Sequence, residues 1–394
     1  MEVRQKSFLR DLIDPDIVIN ITVGNPSADA DSIEGAMILA KVLEKEYQEV
    51  CQAKVARGEE PSPKRHVFYP MNMIKKDILK TRKEQAWLFE KKFGLGEDKL
   101  FFLEHILLLR QAYDEKRVRV HLFDGNSLPS YLEMFAGAVK TITDHHADEG
   151  KYTDDETVVK QFSDVGSCTS LLVERLLKDP DLDSSWLKLA FVPIALDTSF
   201  FDKKMKPIDT KAKDLIFEKL EGFGYNELNL EDFYKLLLEA RNNIDGLTLE
   251  ELLHKDEKSW CLSGLEVSVA TILGNSHTHW DSDPKHVAAL QEVRVYGSHP
   301  MGLSQSKFFM TGALAGKMVD GNFTRFFQVS FASPEFRDLF VAHMKDDPAV
   351  ESYSVSSEFP TASFTLPAWC SRKKILEKLI EVMPRVAHAI AEDL

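Results

Sequence analysis

An apolar run ends in one aspartate and two histidines in the stretch Ala138-Val139-Lys140-Thr141-Ile142-Thr143-Asp144-His145-His146. The same pattern, a strand-like run that ends in polar or acidic side chains, recurs in three places: residues 16–23 before Asn25, Asp29, Asp31 and Ser32, residues 118–123 before Asp124, and residues 189–196 before Asp197. In an open parallel sheet, the loops at the carboxyl ends of the strands converge on one crevice. The sequence therefore predicts that four acidic loops build one metal site.

Length and composition describe a globular protein. A chain of 394 residues is too long for one ordinary core, so two domains are expected. The apolar fraction of 44% and the charged fraction of 28% supply ample material for both cores. The four cysteines form no Cys-x-x-Cys pair, which disfavours a zinc knuckle or a disulfide framework: Cys51, Cys168, Cys261 and Cys370. Thiols of this kind are typical of a reducing compartment.

Charge and hydropathy narrow the choice of partners. Residues 1–6 contain no apolar segment of a secretion signal, and no stretch reaches the roughly 20 apolar residues of a membrane span. The formal net charge of -14 disfavours nucleic acid as a partner, because nucleic-acid binding calls for a basic face. We therefore expect a cytoplasmic protein that binds neither nucleic acid nor membrane. We also expect a monomer.

The order of predicted elements indicates an α/β protein. Strand-like and helix-like runs alternate as far as about residue 220, which favours a mainly parallel sheet flanked by helices. Four apolar residues have helical spacing behind a Ser32 cap: Ile33, Met37, Ala40 and Leu43. The charged segment 75–92 is predicted to be a surface helix.

The second half of the chain predicts a smaller α/β domain with a mixed sheet. Its strand signals lie at residues 265–273, 308–314 and 326–331, and an amphipathic helix is predicted from Lys373 onward. The predicted boundaries are residues 1–222 for the first domain, 223–246 for a helical connection and 247–394 for the second domain.

The acidic motifs resemble those of a known superfamily. Residues 24–32, Asp124, Asp144-His145-His146 and Asp197 resemble, in order and in context, the motifs of the DHH phosphoesterase superfamily. Residues 252–258 and 371–373 are similar to the two basic motifs of the DHH-associated second domain. That domain is shared by eukaryotic exopolyphosphatases, prune proteins and family II inorganic pyrophosphatases. The resemblance implies an active site in the cleft between the two domains.

The candidate ligands form a hard, oxygen-rich set. Asp29 and Asp31 are two positions apart, so their oxygens can reach two neighbouring divalent ions, and Asp124 can bridge the pair. With His145 and Asp197 they favour Mg²⁺, with Mn²⁺ or Co²⁺ as alternatives, over a structural zinc. Two metals about 3.5 to 4 Å apart can hold a bridging hydroxide as the nucleophile for phosphorus.

Two departures from the motifs separate the branches of the superfamily. The resemblance places Asn25 at the metal-binding position where family II pyrophosphatases carry histidine, which disfavours that activity. The intact second histidine, His146, differs from prune-like proteins, which have arginine there. The yeast-type and trypanosomatid exopolyphosphatases fit best, and they imply release of terminal orthophosphate from inorganic polyphosphate or short polyphosphates.

The resemblance also implies roles for the basic residues. The implied catalytic residues are Asp124, His145, His146, Arg372 and Lys373, and the implied substrate-binding residues are His146, Lys258, Ser371, Arg372 and Lys373. For His146, support of the neighbouring ligand is the alternative to a phosphate contact. For Lys258, Arg372 and Lys373 the alternative is a surface charge cluster, although cations are disfavoured at a helix start unless an anion is bound there.

Other motifs have structural explanations. Residues 166–170 are better explained as a cap and close-packing turn than as a phosphate loop. His277-Thr278-His279 is better explained by chance than by a metal pair, and the lysines between 203 and 213 form either a solvated face or a path for polyphosphate. Three functional alternatives stay open, namely an inorganic pyrophosphatase, a prune-like cyclic-nucleotide phosphodiesterase and a non-catalytic prune-like adaptor. A nuclease of the superfamily is disfavoured, because the chain lacks a GGGH motif.

Overall fold

The structure is a computed structural model that describes residues 5–60, 64–272, 310–319, 321–357 and 360–392. It divides into two compact units, Met1–Arg241 and Asn242–Leu394. The division falls inside the segment 223–246 that the sequence analysis assigned to a connection. Within that segment, the helix Glu227–Asn242 packs on the core of the first unit through Leu230 and Leu237.

The first unit is an α/β layer structure. Its strands are β1 (Ile17–Val23), β2 (Arg65–Met71), β3 (Val118–Phe123), β4 (Val139–Asp144) and β5 (Val159–Phe162), all parallel in the order β2-β1-β3-β4-β5. Its helices are α1 (Gln5–Ile13), α2 (Ala30–Ala56), α3 (Lys83–Trp87), α4 (Leu103–Leu107), α5 (Arg110–Asp114), α6 (Val173–Leu176), α7 (Ser184–Asp197), α8 (Pro207–Gly222) and α9 (Glu227–Asn242). Short 3-10 segments lie at Lys76–Thr81, Glu97–Lys99, Ser130–Ala138 and Cys168–Leu172, with a π-helical turn at Leu88–Lys92. The predicted parallel sheet is confirmed.

Helices cover both faces of this sheet. Tyr47 of α2 stacks on His66 of β2 with ring centroids 4.5 Å apart, whereas Phe8 of α1 contacts Tyr69 of the same strand at 5.1 Å. Side chains an odd number of positions apart on a strand point to opposite faces, so α1 and α2 lie on opposite sides. Burial on both faces explains why β1 is an unbroken apolar run instead of an alternating one.

A glycine allows α2 to approach the strand that leads to Asp124. A Cβ atom at Gly35 would overlap the ring of Phe123, the last residue of β3. Thr22 of β1 also donates its hydroxyl to the carbonyl oxygen of Ala36, at 2.7 Å. The close approach brings the beginning of α2 next to the carboxyl ends of β1 and β3.

Three local predictions were wrong. Asp197 does not end a strand but a helix, α7, which is buried almost all round and so shows no helical periodicity in its apolar pattern. Residues 75–92 form a 3-10 segment, a short helix and a π-helical turn with several buried side chains, instead of one surface helix. The cap of α2 is Asp29, whose carboxylate accepts from the Ser32 amide at 3.1 Å, and not Ser32.

The second unit carries the predicted mixed sheet, which is confirmed. Its strands are β6 (Glu257–Leu262), β7 (Leu265–Thr271), β8 (Met310–Val319), β9 (Asn322–Phe331), β10 (Ser352–Val355) and β11 (Thr361–Pro367), in the order β10-β11-β9-β8-β7-β6 with only β7 and β8 parallel. Its described helices are α10 (Leu249–Lys255), α11 (Pro334–Met344) and α12 (Arg372–Glu392). The motif His277-Thr278-His279 lies outside the described residues. Across the described ranges, no helix has both the length and the apolarity that crossing a membrane requires.

Candidate metal centre

Asp124 lies at the centre of the acidic cluster. It follows β3 with a left-handed φ of 53°, a conformation that costs energy for a residue with a side chain. Its amide donates to the Thr143 carbonyl at 3.0 Å, which fixes the strand end. One carboxylate oxygen accepts from the Ser32 hydroxyl at 2.7 Å and the Asn25 amide at 2.9 Å, and the other lies 3.2 Å from His145 Nε2. Only 2% of Asp124 is exposed, so these contacts define its environment.

The DHH triplet holds its own imidazoles in place. Asp144 is fully buried and accepts from the amide of His145 at 2.7 Å, from His146 Nδ1 at 2.9 Å and from the Asn126 side chain at 2.5 Å. His145 Nδ1 lies 3.0 Å from the Val165 carbonyl, which orients the ring and directs Nε2 toward the cluster. An N–H to carbonyl contact of this kind is typical of metal-ligating histidines. Asp144 is therefore the residue that positions the triplet.

A turn of the chain encloses Asp31. This carboxylate is 2% exposed and accepts from the Ser167 hydroxyl at 2.9 Å, from the Cys168 amide at 2.5 Å, and from the Thr169 amide and hydroxyl at 2.9 and 2.5 Å. These donors belong to the segment 166–170, which the sequence analysis explained as a structural turn. Four hydrogen bonds hold the Asp31 side chain in one orientation beside the cluster.

The remaining amides of that turn are also engaged. Gly166 donates to Asp209 at 2.7 Å and Ser167 donates to the same carboxylate at 3.3 Å. Asp209 belongs to the first turn of α8 and is fully buried. The turn therefore binds two carboxylates of the chain itself, which agrees with its structural interpretation.

Asn25 and Asp29 complete the first acidic loop. The Asn25 amide donates to the Asp124 backbone carbonyl at 2.8 Å as well as to its carboxylate, and its own oxygen accepts from the Ser27 amide at 2.9 Å. Asp29 is exposed, although one of its oxygens caps α2 through the Ser32 amide. Asn25 thus faces the centre with its nitrogen, while Asp29 has an oxygen free of the cap.

Asp197 enters from a helix end. It is the last residue of α7, and the three residues that follow Thr198 all have left-handed φ angles of 52°, 58° and 64°: Ser199, Phe200 and Phe201. Phe200 and Phe201 pack on Phe191 with ring centroids 6.2 and 5.8 Å away. Strained backbone held by packed aromatic side chains is typical of segments that position functional groups.

The carboxyl groups of the cluster oppose one another's ionisation. Burial, and then the charge of Asp29, raises the pKa of Asp124 to about 7. Burial and the charges of Asp31, Asp29 and Asp124 raise the pKa of Asp197 well above its usual range. Burial lowers the pKa of His145, but the hydrogen bond to Asp124 and the charges of Asp31 and Asp124 raise it to about 10. Four carboxyl groups are therefore close enough to affect one another's ionisation, and this arrangement favours binding of a cation: Asp29, Asp31, Asp124 and Asp197.

This donor set fits divalent metal ions. Atoms of Asp124, Asp144, His145 and His146 that could bind a metal lie within 4.8 Å of one another. Crowded carboxylates in a poorly solvated site repel each other unless cations lie between them. Oxygen donors with one or two imidazoles suit Mg²⁺ or Mn²⁺ better than softer metals.

Sequence reasoning missed three supporting groups. Ser32 was expected as a helix cap but donates to Asp124, Asn126 was not considered, and Asp144 was quoted only as part of its triplet. Their common signal is a small polar residue one to three positions from a predicted ligand. Only the fold shows which ligand each one contacts.

The second unit brings its two basic motifs together. The Arg372 guanidinium donates to the backbone carbonyl of Asp256 and to its carboxylate at 2.8 Å. Arg372 is the first residue of α12, directly after Ser371, and Lys258 lies two positions beyond Asp256 on β6. Lys258 and Lys373 are exposed. Part of the Arg372 charge is thus balanced by Asp256, a contact that the sequence analysis did not anticipate.

Comparisons with known proteins agree with this architecture. No protein-family model matches the chain. It is 28% identical over 256 residues to "Exopolyphosphatase PRUNE1" of Rattus norvegicus, covering 64% of this chain and 52% of that protein. It is 27% identical over 304 residues to the "Putative exopolyphosphatase" of Schizosaccharomyces pombe, covering 72% of each. The chain spans about half the length of the mammalian relatives that it matches.

A solved structure shows the same fold. The chain superposes with a TM-score of 0.56 and 18% identity on "Crystal structure of Methanococcus jannaschii putative family II inorganic pyrophosphatase", covering 94% of this chain and 99% of that one. The shared features are a parallel sheet with acids at the carboxyl ends of its strands and a separate mixed sheet. The chain shares this fold, and its motifs resemble those of the DHH phosphoesterase superfamily. Its curated relatives carry exopolyphosphatase names.

Proposed function

We propose that this protein is a divalent-metal-dependent exopolyphosphatase, which releases terminal orthophosphate from inorganic polyphosphate. The observation that carries the proposal is the gathering of four carboxyl groups and His145 at the carboxyl end of the first sheet, where the carboxyl groups raise one another's pKa and a bound cation would relieve their repulsion. The exopolyphosphatase names of the relatives support the choice of substrate.

The proposed metal ligands are five of the six first-unit residues that the sequence analysis named: Asp29, Asp31, Asp124, His145 and Asp197. The sixth, Asn25, faces the centre with its amide N–H group, which cannot bind a metal, and we propose that it orients Asp124 instead. We propose two divalent ions, with Mg²⁺ preferred. Bound divalent ions polarise phosphoryl oxygens and lower the pKa of water, which is the chemistry that a phosphoanhydride bond requires. The hydrogen bonds to Asp31 and Asp124 hold their oxygens in place before any ion arrives.

His146 is the proposed contact of the first unit with the leaving or terminal phosphate. Its side chain is 48% exposed, and Asp144 binds its Nδ1, which leaves Nε2 for an oxygen of the substrate. The hydrogen bond to Asp144 raises the pKa of His146, so the ring is better able to carry the proton that a phosphate oxygen accepts. We propose that four residues of the second unit bind further phosphate groups of the polyphosphate substrate: Lys258, Ser371, Arg372 and Lys373.

The test is orthophosphate release from triphosphate, long polyphosphate and pyrophosphate, with Mg²⁺, Mn²⁺ or Co²⁺ and with a chelator. Release from tri- and polyphosphate that stops in chelator and exceeds release from pyrophosphate is the expected result. Asp124→Ala and Asp124→Asn should each lower the rate by on the order of 10³-fold, because both remove a central charge of the site. Asp114→Ala, at an exposed position of the same unit, is the matched control.

Each contrary outcome has a defined meaning. Pyrophosphate as the dominant substrate would assign the chain to the pyrophosphatase alternative and show that Asn25 is compatible with that activity. Near-normal rates in both Asp124 variants would remove Asp124 from the metal site. No release with any of the metals would leave the nucleotide-hydrolase and adaptor alternatives.

A further inference from the structure

Asp209 is a buried carboxylate outside the proposed set of metal ligands. It lies in the first turn of α8 with no exposed surface, and its side chain accepts four hydrogen bonds. One oxygen, Oδ2, accepts from the amides of Gly166 and Lys206 at 2.7 and 2.9 Å. The other, Oδ1, accepts from the Ser167 amide at 3.3 Å and from the Ser170 hydroxyl at 2.6 Å. Because all four partners are donors, both ends of this side chain must be acceptors, as they are in a carboxylate.

Three of these donors belong to the turn that encloses Asp31. Asp31 accepts from residues 167–169 of this turn, and Asp209 accepts from both of its ends. Ser167 contacts both carboxylates, because its amide donates to Asp209 and its hydroxyl donates to Asp31. A shift of the turn away from Asp209 would therefore also move the donors that orient Asp31.

The fourth donor, Lys206, lies at the end of the segment that follows Asp197. This segment packs directly on the turn, because a Cβ atom at Gly166 would lie 2.7 Å from the Lys204 carbonyl oxygen and 3.0 Å from the Thr198 methyl group. Thr198 is the residue next to Asp197. The buried carboxylate of α8 therefore joins the turn that holds one proposed metal ligand to the segment that follows another.

We propose that Asp209 is a positioning residue of the metal centre, which holds Asp31 and Asp197 in place through the turn 166–170 and the segment 198–206. The proposal rests on the proposed function, because it assumes that these two carboxylates bind divalent metal ions. A merely structural alternative is a capping box, in which an acidic residue at the third helical position accepts from the amide before the helix. That role accounts for the Lys206 amide and leaves the other three donors unexplained.

The experiment compares the wild type with Asp209→Asn, Ser170→Ala and a control, Asp214→Asn, at an exposed position of the same helix. Asparagine keeps the shape of the side chain but turns an N–H group toward two of the four donors. Ser170→Ala removes a hydroxyl that, among the described residues, bonds to Asp209 alone. Electron paramagnetic resonance of free Mn²⁺ and calorimetry with Mg²⁺ give the metal affinities, at a temperature below the unfolding midpoint of each metal-free variant.

The metal affinity of the folded protein separates the two roles. Asp209→Asn should weaken Mn²⁺ and Mg²⁺ binding about 10- to 100-fold, the usual loss when a group that orients metal ligands is removed. Ser170→Ala should weaken binding by less, because it removes one donor of four, and Asp214→Asn should bind both ions as the wild type does. A capping role alone would lower the unfolding midpoint of Asp209→Asn and leave the metal affinity unchanged.

Several outcomes would overturn the assignment. Unchanged metal affinity in folded Asp209→Asn, or equal weakening by Asp214→Asn, would show that Asp209 does not position the metal ligands. If Asp209→Asn does not fold, Ser170→Ala decides, since an affinity equal to that of the wild type overturns the assignment and a weaker one supports it.

The failure of this assignment is distinct from the failure of the proposed function. If the wild type binds Mn²⁺, the variants bind it more weakly and no polyphosphate is hydrolysed, the proposed function fails while the assignment stands. If polyphosphate is hydrolysed and both variants bind the ions normally, the assignment fails while the proposed function stands. If the wild type binds neither ion, both fail.

Discussion

Glu34 provides a sharp test of the electrostatics of the first unit. It lies on α2, three positions after Asp31, with no exposed surface, and among the described residues neither of its carboxylate oxygens has a hydrogen-bond partner. Burial raises its pKa well above the usual 4.5, and the charges of Glu84, Asp29 and Asp31 raise it further. Glu34→Gln keeps the volume of the side chain and removes its charge. We expect this variant to be more stable than the wild type at neutral and alkaline pH.

The sign of the pH dependence follows from proton binding. Above the usual pKa of 4.5, the unfolded chain releases the Glu34 proton while the native state keeps it. The native state then binds more protons, so the free energy of unfolding of the wild type falls as pH rises, until pH passes the native pKa. One proton changes this free energy by at most about 1.4 kcal/mol per pH unit. From about pH 5 to about pH 8 the advantage of Glu34→Gln should therefore grow, with a ceiling of about 4 kcal/mol.

The assay is urea and thermal unfolding of the metal-free protein at about pH 5, 6.5 and 8. A gain of about 2 kcal/mol corresponds to a rise of about 4–8 °C in Tm for a unit of this size. Glu44→Gln is the control, because Glu44 lies on the same helix and is exposed. Parallel pH profiles for the wild type and Glu34→Gln would refute the reasoning, since they would mean that Glu34 is ionised and solvated in the native state.

Two further predictions concern buried polar groups of the same unit. Arg117 is 2% exposed and donates to the carbonyl oxygens of Asp11, Leu12 and Ile17. Arg117→Met should lower the free energy of unfolding by about 3–5 kcal/mol in urea unfolding, whereas a loss below about 1 kcal/mol would mean that water replaces the guanidinium. Burial lowers the pKa of His66 and of His121 to about 4. As pH falls from about 6.5 toward 4, the unfolded chain protonates these two histidines while the native state does not, so the free energy of unfolding decreases. His121→Gln should flatten the fall in urea midpoint between about pH 7 and about pH 5, and an unchanged slope would exclude His121 as a cause of it.

The sequence predicted two parts of the fold. The first depends on local pattern, and the second depends on the rule that the loops at the carboxyl ends of parallel strands converge on one crevice. The run 17–23 is a strand because its β-branched side chains are buried on both faces of a parallel sheet. Asp124 and Asp144 lie at the ends of β3 and β4, as the strand-end rule predicts for an open α/β sheet. These predictions need only one segment and its neighbours.

The errors arise where a distant contact decides between two local possibilities. Asp29 and Ser32 are both good helix caps, and the choice falls on Asp29 because the Ser32 hydroxyl donates to Asp124, 92 positions away. Helix α7 looks like a strand because every side of it is buried, so its apolar run has no polar face. The turn that encloses Asp31 is 137 positions distant in the sequence, and no local rule pairs the two.

The acidic centre also shows how a fold can hold charges that oppose folding. Asp31 and Asp124 receive fixed hydrogen bonds, which orient their oxygens but do not cancel their charge. His145, which gains a proton, counters part of this charge. A cation-binding site requires some repulsion between carboxylates to remain without a counter-charge. If every carboxylate were already paired, a metal ion would not lower the electrostatic energy of the cluster. The stability that the apo protein loses in this way should return on metal binding, and this links the instability of the site to the chemistry proposed for it.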